Sequence, residues 1–111
     1  LEGAEILLVP AAFTMFTGKD HWHVLLRARA IENQAYVLAP GQVGSHDPNA
    51  QCYGHSVVID PWGNVIAQMS DMEGVTIADL DFAYLRKIRT QLPSLANRRP
   101  IAYRERVALG D

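Results

Sequence analysis

The sequence predicts a mixed α/β sheet, and three observations carry that expectation. Short continuous apolar runs at Ile6–Val9 and Ala35–Pro40 have the length and composition of strands buried on both faces. A run of good helix formers lies between them, and strand-like segments joined by the tight turn "DPWGN" come after them.

The elements follow in order. Gly3, a helix-terminating residue, stands immediately before the first apolar run, so Leu1 and Glu2 read as a helix's last turn. With no initiating Met, the chain is expected to be the C-terminal part of something larger; a flexible natural terminus is the alternative, since glycine before a strand is common in loops. After the loop "PAAFTMFTGK" the pattern predicts a helix from Asp20, as N-cap, to Asn33. Trp22, Leu25, Leu26 and Ala30 share one helical face and Val24, Ala28 and Ile31 another, which predicts a helix packed between partners. Arg29 falls inside the first stripe and is expected to be a buried guanidinium paired with Glu32 at i+3. "AYVLAP", "HSVVID", "VIAQM" and "VTIADL" read as strands, with Pro61 and Gly63 setting the backbone of the intervening turn. Asp81 is expected to cap a short helix reaching about Arg89, ended before Pro93. The tail "NRRPIAYRERVALGD" has no core periodicity and is expected along a surface or a partner.

At 111 residues the chain fits one domain or part of one, with no linker or internal repeat. Apolar residues make up 49% and charged residues 20%, and ten basic residues face twelve acidic ones, which argues against disorder and against nucleic acid as a default partner. A single cysteine excludes an internal disulfide framework or a thiolate zinc cluster and favours a reducing, cytoplasmic location. No apolar run approaches the roughly 20 residues of a membrane-spanning helix.

One stretch, "QCYGHSVVIDPWGN", places Cys52, His55 and Asp60 close together and raises the question of a Cys/His/Asp site. A thiolate nucleophile needs a positive neighbour or a helix N-terminus, and none is evident locally. Along an extended chain Cys52 and His55 leave opposite faces, so their meeting would require a tight turn at Gly54. Asp60, directly before Pro61, has the usual work of accepting a turn amide. "HWH" could chelate a metal on a strand, but on a helix His21 and His23 diverge, and His46 and His55 add no ligand spacing; no metal site is expected. Arg98 and Arg99 read as a solvated or salt-bridged basic pair rather than a nucleic-acid patch, and no phosphate-loop motif is present.

The segments "FTMFTG", "LLRARAIENQ" and "GHSVVIDPWG", in this order, resemble the nitrilase-type carbon–nitrogen hydrolase superfamily, within it the amidase branch that includes deaminated glutathione amidase. The resemblance runs from Gly3 to about Pro100. It implies the C-terminal part of a four-layer α-β-β-α sandwich, covering residues 1–111 as a portion of one domain. It also implies hydrolysis of a small-molecule amide through a Glu-Lys-Cys triad that lies upstream of this chain, without a cofactor, and homodimerisation. No catalytic residue is therefore expected here, and the position matching Cys52 is a loop residue, not the nucleophile. The family's substrate-contacting positions match Phe13, an apolar wall, and Thr17, a hydroxyl for a polar tail. On the residues alone, the favoured readings are Phe13 as core and Thr17, with Gly18, as loop chemistry before a helix. The alternative function is a non-catalytic self-association module built on the same helix and tail.

Overall fold

The computed structural model describes residues 3–48 and 50–104, so the expected helical turn at Leu1 and Glu2 lies outside the described residues, as does the tail beyond Arg104. The elements run β1 (Ile6–Leu8), α1 (Met15–Asn33), β2 (Tyr36–Ala39), β3 (Val43–Asp47), β4 (Ala50–Tyr53), β5 (Val57–Ile59), β6 (Val65–Gln68), α2 (Phe82–Gln91) and α3 (Ile101–Arg104). A four-stranded sheet has the order β1-β2-β5-β6, and β3 and β4 form a separate hairpin. β1 is parallel to β2, with α1 as the crossover that a parallel pair requires, and the remaining pairs are antiparallel. The mixed α/β sheet expected from the sequence is present.

Helix α1 begins five residues earlier than the sequence reading, at Met15, with Thr14 and not Asp20 as N-cap. The reason lies in Gly18. It is buried, and a Cβ there would collide with Cβ and Cγ of Tyr53 on β4. Glycine is selected by close helix–hairpin packing, not by a turn, so the helix runs through it. Gly18, Trp22, Leu26 and Ala30, spaced four apart, are the buried stripe. Trp22, Leu26 and Ala30 pack on Val37 and Ala39 of β2 and Val57 and Ile59 of β5. The expectation of burial on both sides is not met: Val24, Leu25 and Ile31 are exposed. Arg29 is exposed too, and its 2.6 Å ion pair with Glu32 is a surface contact. Its stripe position turns outward because four-residue spacing from Gly18 carries the buried line through Leu26 and Ala30 instead. Gln34 ends the helix in the left-handed conformation (φ 46), its N–H donating to the carbonyls of Ala30 and Ile31.

Beyond Tyr36, which packs on Phe82 of the helix that follows the sheet, the sheet's other face has no cover among the described residues. Register aligns Leu8 with Leu38, Leu38 with Val58 and Val58 with Ala67, an apolar row on the side away from α1. Leu8 is 71% exposed at its end. Across the turn from β5 to β6, Asp60 Oδ1 accepts the N–H groups of Trp62 and Asn64, and Gly63 takes a positive φ, as the sequence predicts. The expected strand "VTIADL" does not form. Its alternation would supply a face, but a strand needs a hydrogen-bonding neighbour, and among the described residues β6 pairs with β5 alone; Val75 and Ile77 are 86% and 87% exposed.

Helix α2 is capped by Asp81, whose Oδ1 accepts the N–H groups of Ala83 and Tyr84. The Tyr36 hydroxyl ties the same residue to the sheet, donating to the Asp81 carbonyl and accepting its N–H, each at 2.9 Å. At the far end, Arg89 donates to the carbonyls of Gln34 and Ala4, which seats α2 against the C-terminus of α1 and the approach to β1.

Candidate substrate-contact site

Because β1 and β2 are parallel, their carboxyl ends lie together, and the loops leaving them meet. Ala11 N–H donates to the Pro40 carbonyl (3.0 Å), and Gln42 N–H donates to the Ala11 carbonyl (2.9 Å). Ser56 Oγ accepts Gly41 N–H at 2.9 Å. On the other side, Tyr53 N–H donates to the Phe13 carbonyl (2.8 Å), and Thr14 bridges to Cys52. The segment from Ala11 to Thr14 is thus fixed by main-chain bonds on two flanks before it enters α1.

Both expected substrate-contacting residues belong to this junction, four positions apart. Phe13 is half-buried, its ring 5.2 Å from that of Trp22, at the margin of the core. It lines an apolar cleft with Val9, Ala11, Leu25 and Leu26. Thr17 is half-buried in the first turn of α1, its Oγ1 2.8 Å from Oγ1 of Thr14. A second apolar cleft lies beside that turn, between Thr14, Met15, Phe16 and Lys19 on one side and Ala50 to Cys52 on the other. Phe13 lines the first cleft and Thr14 the second, and Thr17 lines neither, so the two expected residues share a junction but no common cleft.

Cys52, His55 and Asp60 do not form a site. Cys52 is buried in β4 and not in a loop. Gly54 and His55 both take positive φ, 70° and 53°, which is the tight turn that a Cys–His contact demanded. Instead of meeting Cys52, the His55 ring stacks on Tyr53 at 4.1 Å. His55 Nδ1 donates to the Tyr53 carbonyl, and Nε2 lies 3.1 Å from Asp71 Oδ1. Asp60 is occupied by its turn and by Asn64 Nδ2. His21 is exposed on α1, while His23 reaches across to Gln68. Sequence reading missed the β3–β4 hairpin, which supplies Tyr53 and so pins the candidate loop. The dipeptide Asp47-Pro48 was the available turn signal.

The model of the carbon–nitrogen hydrolase family matches residues 1–90. Deaminated glutathione amidase of Synechocystis sp. is 50% identical over 97 residues, 87% of this chain and 36% of that protein. Its human namesake is 52% identical over 101 residues, 91% of this chain and 31% of that protein. Among solved structures, the C. elegans NitFhit protein superposes with a TM-score of 0.84 at 50% identity, covering 87% of this chain and 24% of its own. Saccharomyces cerevisiae Nit3, a member of branch 10 of the nitrilase superfamily, gives 0.81 at 36% identity, covering 88% and 36%. The chain spans about a third of the length of the curated relatives it matches. By family match, sequence identity and fold together, this chain belongs to the carbon–nitrogen hydrolase family.

Proposed function

We propose that these residues are the C-terminal portion of an amidase domain whose intact form hydrolyses a small-molecule amide, such as deaminated glutathione or a related ω-amide. The observation that carries this reading is the roughly 50% identity to proteins named deaminated glutathione amidase, each about three times as long as the match. The triad of Glu, Lys and Cys that the family uses lies outside this segment in the proposal. A thiolate attacks the amide carbon, ammonia leaves, and a base-activated water hydrolyses the thioester, with the lysine stabilising the oxyanion. This chain's part is to supply the junction at the carboxyl ends of β1 and β2. There Phe13 offers an apolar wall and Thr17 a hydroxyl to the substrate's polar tail.

The sheet supports this division of labour. Its apolar row from Leu8 to Ala67 has no cover among the described residues, which suits the inner face of a sandwich whose second sheet is supplied elsewhere. The exposed Val24, Leu25 and Ile31 on α1 favour homodimerisation through that helix, in a cytoplasmic enzyme. The same observation is what a purely self-associating module would need, which is the second reading. The deciding experiment is ammonia release from ω-amides by the full-length protein. Cysteine-dependent turnover, with the cysteine encoded upstream of Leu1, establishes the amidase; a folded, dimeric but inert full-length protein overturns it in favour of the module.

A further inference from the structure

Thr14 holds the N-cap position of α1, where a threonine ordinarily accepts a hydrogen bond from an N–H of the first turn. Its side chain makes no such bond. Oγ1 of Thr14 lies instead 2.8 Å from Oγ1 of Thr17. The backbone is held without it, since Phe13 is tied to Tyr53, Thr14 bridges to Cys52, and the Thr14 carbonyl accepts Gly18 N–H at 2.7 Å. Thr17 also forgoes its usual choice. A helical threonine hydroxyl tends to bond the carbonyl three or four residues back, as Thr90 does to Arg86, whereas Thr17 Oγ1 pairs with Thr14 Oγ1.

Two hydroxyls that each leave their ordinary backbone partner for the other form a chain with one proton to spare. We propose that Thr14 is a positioning residue: it donates to Thr17 Oγ1, fixes that side chain's rotamer, and leaves the Thr17 proton to meet an oxygen acceptor on the substrate's polar tail. The inference rests on the proposed role of Thr17 in substrate contact. It adds that selectivity for an acceptor-bearing tail is set by the pair, not by Thr17 alone.

The test uses the full-length enzyme with Thr14→Val, Thr14→Ser, Thr17→Val and the Thr14→Val/Thr17→Val double variant. Each is assayed on an ω-amide bearing a carboxylate tail and on a short aliphatic amide lacking one. Thr14→Val is expected to raise KM for the tailed amide by about tenfold, the value of one hydrogen bond, with kcat within about twofold of wild type. Thr14→Ser restores it, the double variant is no worse than Thr17→Val, and the losses of Thr14→Val and Thr17→Val are smaller on the short amide than on the tailed one. Equal losses on both substrates, failure of serine to restore, or additive effects in the double variant overturn the proposal. If Thr17→Val is itself without effect on the tailed amide, the site reading falls and takes this inference with it. If Thr17→Val impairs and Thr14→Val does not, the inference alone falls.

Discussion

Cys52 is the one thiol in the chain, and its surroundings are those of a packing residue: buried, on a hairpin strand, beside the backbone of Thr14. Cys52→Ser in the full-length enzyme should therefore leave turnover nearly unchanged; a loss of about a hundredfold, some 2.7 kcal/mol of transition-state stabilisation, would reassign it as a nucleophile. Phe13 and Thr17 should behave differently. Phe13→Ala and Thr17→Val are expected to lower kcat/KM while circular dichroism stays native, and unchanged kinetics in both would return Phe13 to the core and Thr17 to the helix. Gly41 carries a purely structural prediction. A Cβ there would strike the carbonyl oxygen of Gly54, which is backbone and has no rotamer to yield. Gly41→Ala should cost about 1–3 kcal/mol in a denaturant melt, against a few tenths for an exposed substitution. None of these close approaches was legible beforehand, because sequence gives residue type but not which two segments cross.

Elements were more legible than their contacts. Strands β1, β2, β5 and β6, the turn at Asp60 and the cap at Asp81 all follow from short-range chemistry, and all are present. The differences depend on neighbours: Gly18 mimics a loop residue in sequence, but it lies within α1, where it contacts Tyr53, and "VTIADL" lacks a strand to pair with among the described residues. Two predictions belong to α2. Asp81→Ala removes the bonds to Ala83 and Tyr84 N–H and should cost about 1 kcal/mol of stability, read from the urea midpoint. The Tyr36 hydroxyl, which joins Asp81 to the sheet, is held above the ordinary phenol value of 10.0 chiefly by burial. A raised folded value means that the stability it contributes is whole below pH 10 and is lost as pH rises through the folded value. Stability should accordingly fall in that alkaline window and fall less in Tyr36→Phe; identical slopes in the two proteins would remove Tyr36 from the account.

At the scale of the whole molecule the chain is a slab, 47 × 46 × 21 Å, the thickness of one sheet and one helical layer. Its radius of gyration is 17.0 Å, where a compact domain of this length measures about 13 Å. A slab with one covered face suits part of a layered domain, and it sets the expectation for the 111 residues purified alone. They should release no ammonia from any ω-amide or nitrile, since the chain's single cysteine is buried in a hairpin strand, and should self-associate through the open part of the sheet face. Incubation with deaminated glutathione beside a full-length control decides the first point and sedimentation the second. Turnover abolished by Cys52→Ser would overturn the assignment of catalysis to residues outside this segment.

The open part of the sheet face has a further consequence for what "stability" means here. The chain exposes 8091 Å², and a compact monomer of 12.3 kDa exposes about 6,100 Å². The excess, roughly 2,000 Å², is spread over several exposed segments, Val75 and Ile77 among them, and includes the open part of the sheet face. Anything that binds it acts as a ligand of the folded state alone, so folding and association become linked by mass action. The melting temperature of this segment should then rise with its own concentration, and added complementary domain should raise its unfolding free energy by RT ln(1 + [L]/Kd), about 2.7 kcal/mol at a hundredfold excess over Kd.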